Sequence, residues 1–438
     1  MTLSIPTRPL ITLAGFLVIT SGTLFADWPQ WRGPNFNGTA SNAKPVTQWS
    51  ATNNVRWKLP IPGKGSGTPV IAGDDLFVVT ALDTGKKPTG EDPNAEARQD
   101  QAPETLHQFI VMCLDRKTGK ERWKKTVAEL VPHSGHHRDH FYASASPITD
   151  GKHVWAHFGS RGTYCLTVKG EPVWKRTDLG LMVLRGGFGD GSSPALHKDT
   201  LVIPWDTEDG NSYIVALDKM TGKTRWKKER DHISSWATPL IIDHGGRSLV
   251  IQNGVNYSRA YDLKDGEEVW RAGGQTTRPI PTPVYHDGMV FIGSGHRGSF
   301  LGAYKLDGAK GDITDSSSQV WTLGKNTPDV PSLLISDDRL YFHAGRDGII
   351  SCVDAKSGKP HYLRQRISGL RQVYSSPVAA NGHVYLTGRT GTTVVIKDGP
   401  EYEVVATNEL DERIDASLVM DDDAIYIRAE KHLYCVGK

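Results

Sequence analysis

One unit recurs along the chain and constrains its fold more than any other feature: Ala216-Leu-Asp-Lys-Met-Thr-Gly-Lys-Thr-Arg-Trp226. The apolar run ending at Leu217 reads as a strand. Asp218 to Gly222 reads as a tight turn, in which Asp bonds its own backbone and Gly accepts positive φ. Lys223 to Trp226 leads into the next strand. Cys113 to Trp123 and Ala260 to Trp270 repeat the unit, and Cys352 to Tyr362 keeps the spacing with Tyr for Trp. Cys165 to Trp174 is one residue shorter, and Ala303 to Trp321 is longer by eight, which fits an insertion around Ala309 to Ser318. A degraded copy runs from Val395 through Gly399 to Val404, and the last copy breaks off just after Cys435.

A second signal precedes each unit by about one hairpin. It is a small hydroxyl residue, then Pro, then an apolar run: Thr68-Pro69, Ser146-Pro147, Ser193-Pro194, Thr238-Pro239, Thr282-Pro283 and Ser376-Pro377. Near Ser332 and Ser417 the Pro is missing. An alternating strand lies between the two signals, as in Leu76 to Val79 and Leu340 to His343. Each repeat is therefore four short strands with a period of about 40 to 50 residues, the pattern of propeller blades. The last blade lacks its final strand. Val55 to Ile61, which contains Trp57, supplies it and closes the ring, removing the exposed sheet edges of an open array. The expected fold is all-β: an eight-bladed propeller over residues 55–438, closed by an N-terminal strand.

The Trp column, Trp57, Trp123, Trp174, Trp226, Trp270 and Trp321 with Tyr362, is expected to fill the gap between blades toward the rim. The residue opening each unit is small, whether Cys, Ala or Val. That pattern explains the four cysteines. Cys113, Cys165, Cys352 and Cys435 stand at equivalent places in different blades, too far apart for a bridge. Four free thiols are expected.

Met1 to Ala26 reads as a secretory leader, with Arg8 as its basic residue and Leu10 to Thr20 as an apolar core too short to span a membrane. Residues 27–54, opening with Asp27-Trp-Pro-Gln-Trp-Arg-Gly-Pro34, read as a cap on the propeller. The expectation is an exported monomer, periplasmic or extracellular, with no transmembrane segment in the mature chain. Formal charge is +2, which gives no basis for nucleic-acid binding.

The long excursions Asp83 to Leu106, Ala128 to Tyr142, Gly180 to Gly191 and Asp206 to Ser212 fall on one face of such a propeller, where binding is expected. Two constellations sit there. His133, His136, His137 and His140 have spacings that invite a metal, but Gly135 argues for a polar loop, and no metal is assigned. Arg161, Arg297, Arg346 and Arg389 occupy one recurring turn in four blades. If those turns are exposed, the four charges share a face and suit an anionic ligand.

The repeat resembles that of the quinoprotein dehydrogenases and of the related outer-membrane-assembly lipoprotein BamB, called the tryptophan-docking repeat. The resemblance covers roughly residues 55–438, and the Trp-Pro-Gln-Trp-Arg-Gly-Pro opening is similar to a group of secreted PQQ-like propellers. It implies a propeller of this family and two candidate activities. The dehydrogenase pattern departs in two respects: no two Cys are adjacent, and there is no Cys-x-x-Cys-His for a haem. Under that pattern Trp205 or Trp236 would floor a quinone, and Asp190, Asp206 or Asn253 would ligate calcium. The lipid-bearing Cys of the lipoproteins is missing too. The first expectation is a non-catalytic scaffold that recognises a protein or acidic polymeric ligand, without cofactor. The alternative is a PQQ-dependent oxidoreductase with calcium, and a third is another exported enzyme, acting on carbohydrate.

Overall fold

The computed structural model describes Met1 and residues 28–90, 99 and 101–438. The expected leader therefore lies, apart from Met1, outside the described residues. Among the described residues the strands form eight antiparallel four-stranded sheets, one carrying an extra short strand. Blade 1 comprises Val70–Ala72, Asp75–Asp83, His107–Asp115 and Glu121–Leu130, in that order from axis to rim. Blades 2 to 7 follow the same order. Blade 8 is assembled from both ends of the propeller: Val419–Asp421, Ala424–Arg428 and His432–Val436 are completed by Val55–Pro60. Trp57 faces Cys435 across that pair, as the truncated last repeat anticipates.

Burial follows radius. The innermost strand of blade 1 is wholly buried, whereas its rim strand Glu121–Leu130 is mostly exposed. Cores lie between blades. Phe77, Phe109 and Val111 of blade 1, for example, share one cluster with Val154 and Leu166 of blade 2.

The two halves of the repeated unit meet across neighbouring blades. Trp123 Nε1 donates to Val168 O (2.8 Å), Trp174 to Lys219 O (2.8 Å), Trp226 to Leu263 O (2.8 Å), Trp321 to Ala355 O (2.8 Å) and Trp57 to Arg116 O (3.1 Å). Each of these indoles lies on the turn glycine of the next blade. Gly222 has φ +69°, and a Cβ there would stand 2.8 Å from Trp174. Glycine is thus required twice, by its dihedral and by the ring pressed against it. Asp218 Oδ1 shapes the same turn by accepting from the Met220 and Thr221 amides. The small column also has a cause: Cys113, Ala216, Ala260 and Ala303 stand directly opposite Trp123, Trp226, Trp270 and Trp321 in the ladders. In blade 7 the ladder corrects the sequence alignment, because Val395 faces Ala406 while Val404 faces Ile396. The Ala309–Ser318 insertion places Gly311–Asp312 parallel to the rim strand of blade 4 beside Trp270. All four cysteines are free and buried.

The hydroxyl signal is a closed ring of hydrogen bonds. The amide of Thr68 donates to Ser146 Oγ (2.9 Å), Ser146 to Ser193 (2.9 Å), Ser193 to Thr238 (3.0 Å) and Thr238 to Thr282 (3.2 Å). Thr282 continues to Ser332 (2.9 Å), Ser332 to Ser376 (2.9 Å), Ser376 to Ser417 (3.0 Å) and Ser417 back to Thr68 (3.1 Å). Backbone amides crowded about the axis are cut off from water and must be paired. A short hydroxyl side chain from the next blade does this in all eight positions. Ser332 and Ser417 serve without a following Pro, so the hydroxyl is the essential half of the signal.

Candidate functional site

Residues 28–54 cross the face opposite the long loops. Trp28 bridges to Ile71, Pro29 O accepts from the Thr149 amide (2.9 Å), and Lys44 N donates to Asp422 O (2.5 Å). Arg32 is buried and donates to Pro377 O (3.0 Å) and Leu333 O (2.8 Å), so carbonyls of two blades hold it without a carboxylate. Its neighbour Trp31 enters the axial channel and donates from Nε1 to Ser417 Oγ (3.1 Å). The channel is therefore closed from below. What remains is a cup of about 420 Å³ that opens on the loop-rich face.

The cup is built in layers that follow the repeat. Its floor is Trp31 and the hydroxyls of Thr68, Ser146, Ser193, Thr238 and Ser417. The wall above comes from the residue two places before each hydroxyl: Ser66, Ser144, Gly191, Trp236, Ile280, Val330, Tyr374 and Asp415, all eight of which line the cup. Three adjacent members are small, so space is left on the side of blades 1 to 3. There the loops carrying His137, Asp139, His140 and Phe188 fold inward to form part of the mouth. Trp236 Nε1 anchors that fold by donating to Gly189 O (2.8 Å), and its ring lies 6.4 Å from Phe188.

The mouth is electrically divided. On one side the acids are already paired. Asp139 Oδ1 meets Arg389 NH1 (2.6 Å), and Tyr374 OH donates to Asp139 Oδ2 (2.9 Å). Burial acts to raise the Asp139 carboxyl, but Tyr374 and Arg389 outweigh it and hold it below its usual range. Asp415 takes Arg389 Nε (2.6 Å) and Arg413 Nε (2.7 Å), and Asp329 lies 3.5 Å from Arg346 Nε. On the other side Arg278 sits over Phe188, 5.7 Å from its centroid. Burial, then the like charges of Arg185 and Arg297, lower the Arg278 guanidinium against a smaller opposing pull from Glu208. Among the described residues none of these three arginines has an ion-pair partner.

The four repeated arginines do share a turn, between the second and third strands, but not a position in it. Arg161 stands four residues beyond His157, the last common position of the second-to-third-strand ladder, and Arg297 four beyond Gly293, whereas Arg346 stands three beyond His343 and Arg389 two beyond Thr387. Position in the turn does not decide their fates, since Arg161 and Arg297 share it; their partners do. Arg161 is 2% exposed, paired with Asp190 and stacked 4.9 Å over Tyr142. Arg389 is 7% exposed and clamped between Asp139 and Asp415. Arg346 is exposed and donates to Tyr374 OH (2.8 Å), and Arg297 is exposed with φ +52°. The expectation of four exposed, equivalent guanidinium groups is therefore corrected: Asp190 draws Arg161, and Asp139 with Asp415 draws Arg389, into burial.

The histidines do not converge. His133 is buried with Nε2 at 3.4 Å from Met182 O, His136 Nδ1 lies 2.9 Å from His137 O, and His140 Nε2 lies 2.7 Å from Asp190 O. Burial lowers His133 and His140 to about 4. Among the described residues no three His, Cys, Asp or Glu side chains group as a metal site. The calcium ligands suggested by the dehydrogenase pattern are committed to other partners. Asp190 is committed to Arg161, and Asp206 accepts from Arg230 Nε (2.7 Å) and Ser235 Oγ (2.5 Å). Asn253 donates to Pro281 O and Gly293 O and accepts from Ser258 Oγ (2.7 Å). One nitrogen of Arg230 lies 3.3 Å from Asp206 Oδ2 and 3.5 Å from Asn253 O, so a guanidinium already fills the space that a calcium ion shared by those two would need. Trp236 lines the cup, whereas Trp205 lies in a separate groove, stacked on Tyr213 at 5.6 Å.

The fold and cup define an eight-bladed propeller with a channel blocked at one end. A family model described as outer membrane protein assembly factor BamB matches residues 109–229 and 210–438. The chain belongs to this family of PQQ-like propellers. The outer membrane protein assembly factor BamB of Francisella salina is 29% identical over 165 residues, 34% of this chain and 27% of that protein. Methanol dehydrogenase [cytochrome c] subunit 1 of Methylorubrum extorquens is 40% identical over 91 residues, 19% of this chain and 13% of that one. The chain thus spans about a quarter or less of the length of these curated relatives. The crystal structure of BamB from Moraxella catarrhalis superposes with a TM-score of 0.58 at 14% identity, covering 88% of this chain and 97% of that one. A quinohemoprotein alcohol dehydrogenase from Pseudomonas putida gives 0.55 at 10% identity, covering 91% and 78%. At these identities the structural likeness speaks to fold alone. No helix among the described residues is long and apolar enough to cross a membrane.

Proposed function

We propose that this chain is an exported, non-catalytic binding propeller whose cup receives an acidic segment of a protein partner. The observation that carries this reading is the imbalance at the mouth. The wall carboxylates Asp139, Asp329 and Asp415 each have an arginine partner, while Arg185, Arg278 and Arg297 form no ion pair among the described residues, with only the more distant Glu208 acting on Arg278. Clustered guanidinium groups beside low-dielectric walls raise the local potential and steer anions inward. Relatives named as assembly factors support a protein as the partner. Of the four repeated arginines, Arg297 and Arg346 remain as ligand-binding residues, and Arg161 and Arg389 become positioning residues for the mouth.

The test is titration of a Glu-rich peptide into the mature chain at several salt concentrations. Affinity should fall as salt rises, because the contacts are exposed charges. Changing Arg185, Arg278 and Arg297 together to Gln should weaken binding by about tenfold or more and flatten the salt dependence. Unchanged binding by that variant would overturn the reading. A quinoprotein oxidoreductase is the second reading, favoured by the methanol dehydrogenase match. Saturable calorimetric binding of PQQ with calcium would replace the first reading with it.

A further inference from the structure

The floor of the cup holds donors without acceptors. Each ring hydroxyl uses its oxygen to accept a backbone amide, and Ser417 Oγ accepts the Trp31 indole as well. A hydroxyl has one proton to give. Among the described residues none of the eight donates it to a protein acceptor. Thr68, Ser146, Ser193, Thr238 and Ser417 face the cup, and each is at least 95% buried. Buried donors without partners are costly until water or a ligand accepts from them.

Read from the floor upward, the chemistry is ordered. First come the hydroxyl donors. Next come the apolar Ile280, Val330 and Ala416, with Trp236 beside them. Last comes Arg278 at the mouth. The matching ligand has an oxyanion at its tip, an apolar group behind it, and negative charge further out. Trp31 closes the far end, so a chain cannot thread through and must enter by a terminus. We propose that the cup seats the free C-terminal carboxylate of an acidic peptide whose last residue is apolar. This rests on the binding-scaffold reading and assigns its ligand a class and an orientation. The wall carboxylates do not oppose it as bare charges, because Arg346, Arg389 and Arg413 neutralise them.

The test uses calorimetry on the mature chain with two probes: a six-residue peptide of Glu and Phe ending in Phe with a free carboxylate, and its C-terminal amide. The free acid should bind at least about tenfold tighter, as hydrogen bonds to a charged group require. Ser193→Ala should reduce that preference to within about twofold, since it removes a floor donor to the charged group. It also strips the Ser146 amide of its acceptor, so a control is needed. Thr282→Val removes the same kind of ring bond, to the Thr238 amide, but Thr282 does not line the cup. That variant should lose comparable stability and keep the preference. Equal binding of acid and amide by the parent protein would overturn the seat alone, as would loss of preference in Thr282→Val to the same extent as in Ser193→Ala. Failure of both peptides to bind would overturn the scaffold reading and the seat together.

Discussion

The Ser417 amide donates to Thr68 Oγ1 across 3.1 Å, and this bond joins the last blade of the propeller to the first. It does near the axis what Trp57 opposite Cys435 does at the rim. Closure is thus made twice, once by a ring of hydroxyls and once by a borrowed strand. Both residues are buried, so losing the bond leaves the Ser417 amide without a protein partner.

Thr68→Val tests the inner closure. It keeps the shape of the side chain and removes the acceptor, leaving the Ser417 amide bare. A buried donor without a partner costs about 1–3 kcal/mol. Urea unfolding should show a lower midpoint at an unchanged slope. An unchanged midpoint would mean that the ring bond contributes nothing.

The contact between repeats is tested by two glycines. Gly222 and Gly245 both have positive φ, +69° and +56°, but only Gly222 lies beneath an indole. A Cβ at Gly245 has nothing within 4 Å, whereas one at Gly222 meets Trp174 at 2.8 Å. Both Ala variants bear the dihedral strain. Gly222→Ala should cost about 1–3 kcal/mol more, because it also overpacks the blade contact. Equal losses in thermal unfolding would show that Trp174 moves aside freely.

The architecture was legible because most blades write the same two signals. The turn glycine and the Trp are far apart in sequence, and both are kept because each blade needs the other's half. The hydroxyl ring was visible as Ser/Thr-Pro, although its partner, the neighbouring amide, carries no sequence mark. The cup was not legible. Its wall stands two residues before each hydroxyl, but apart from the serines Ser66 and Ser144 no two residues there are alike, from Gly191 to Trp236, and so they read as noise. The hydroxyl column was the register that could have found them. Trp31 was missed for another reason: it lies outside the repeat, and only its docking position makes it a floor.

The thiols are expected to be silent in the fold and complete outside it. Burial pushes Cys165 and Cys352 up to about 12 and Cys435 to about 11, so little nucleophilic thiolate exists at neutral pH. An Ellman titration of native protein should find almost none, and of denatured, unreduced protein all four. Two reactive thiols instead of four would require a disulfide that the separate blades do not allow.

Stability should fall on mild acidification. Burial holds His133, His140, His157 and His343 down at about 4, against an ordinary value of 6.5. Between those values the unfolded chain binds protons that the folded chain does not, so stability rises with pH. Their contribution is complete above 6.5 and is lost as pH falls toward 4. Asp115 and Asp218, held at about 2 chiefly by Arg122 and Arg225, extend the loss to lower pH. The melting temperature should be level above neutrality and decline below it. His157→Gln should reduce that slope by about one proton. A melting temperature indifferent to pH between 7 and 4 would contradict the buried neutral imidazoles.

The arginines supply the last test, and their geometry requires that they be separated. Arg389 is clamped between Asp139 and Asp415, and Gln in its place leaves two shielded carboxylates short of their cation. Breaking such a pair costs about 3–5 kcal/mol. Arg161→Gln strips Asp190 in the same way, where burial already pushes that carboxyl upward. Arg297 is exposed and has no ion-pair partner among the described residues, so Arg297→Gln should change stability by no more than about 0.5 kcal/mol. Thermal unfolding should therefore divide the set into two structural arginines and one free one, with Arg346 between them, since it has Asp329 at 3.5 Å but remains exposed. Peptide affinity should divide them the other way: Arg297→Gln weakens binding in a fold that stays intact. If all four single variants melt alike, the distinction between clamped and free guanidinium groups is wrong, and the anionic ligand must be sought away from this mouth.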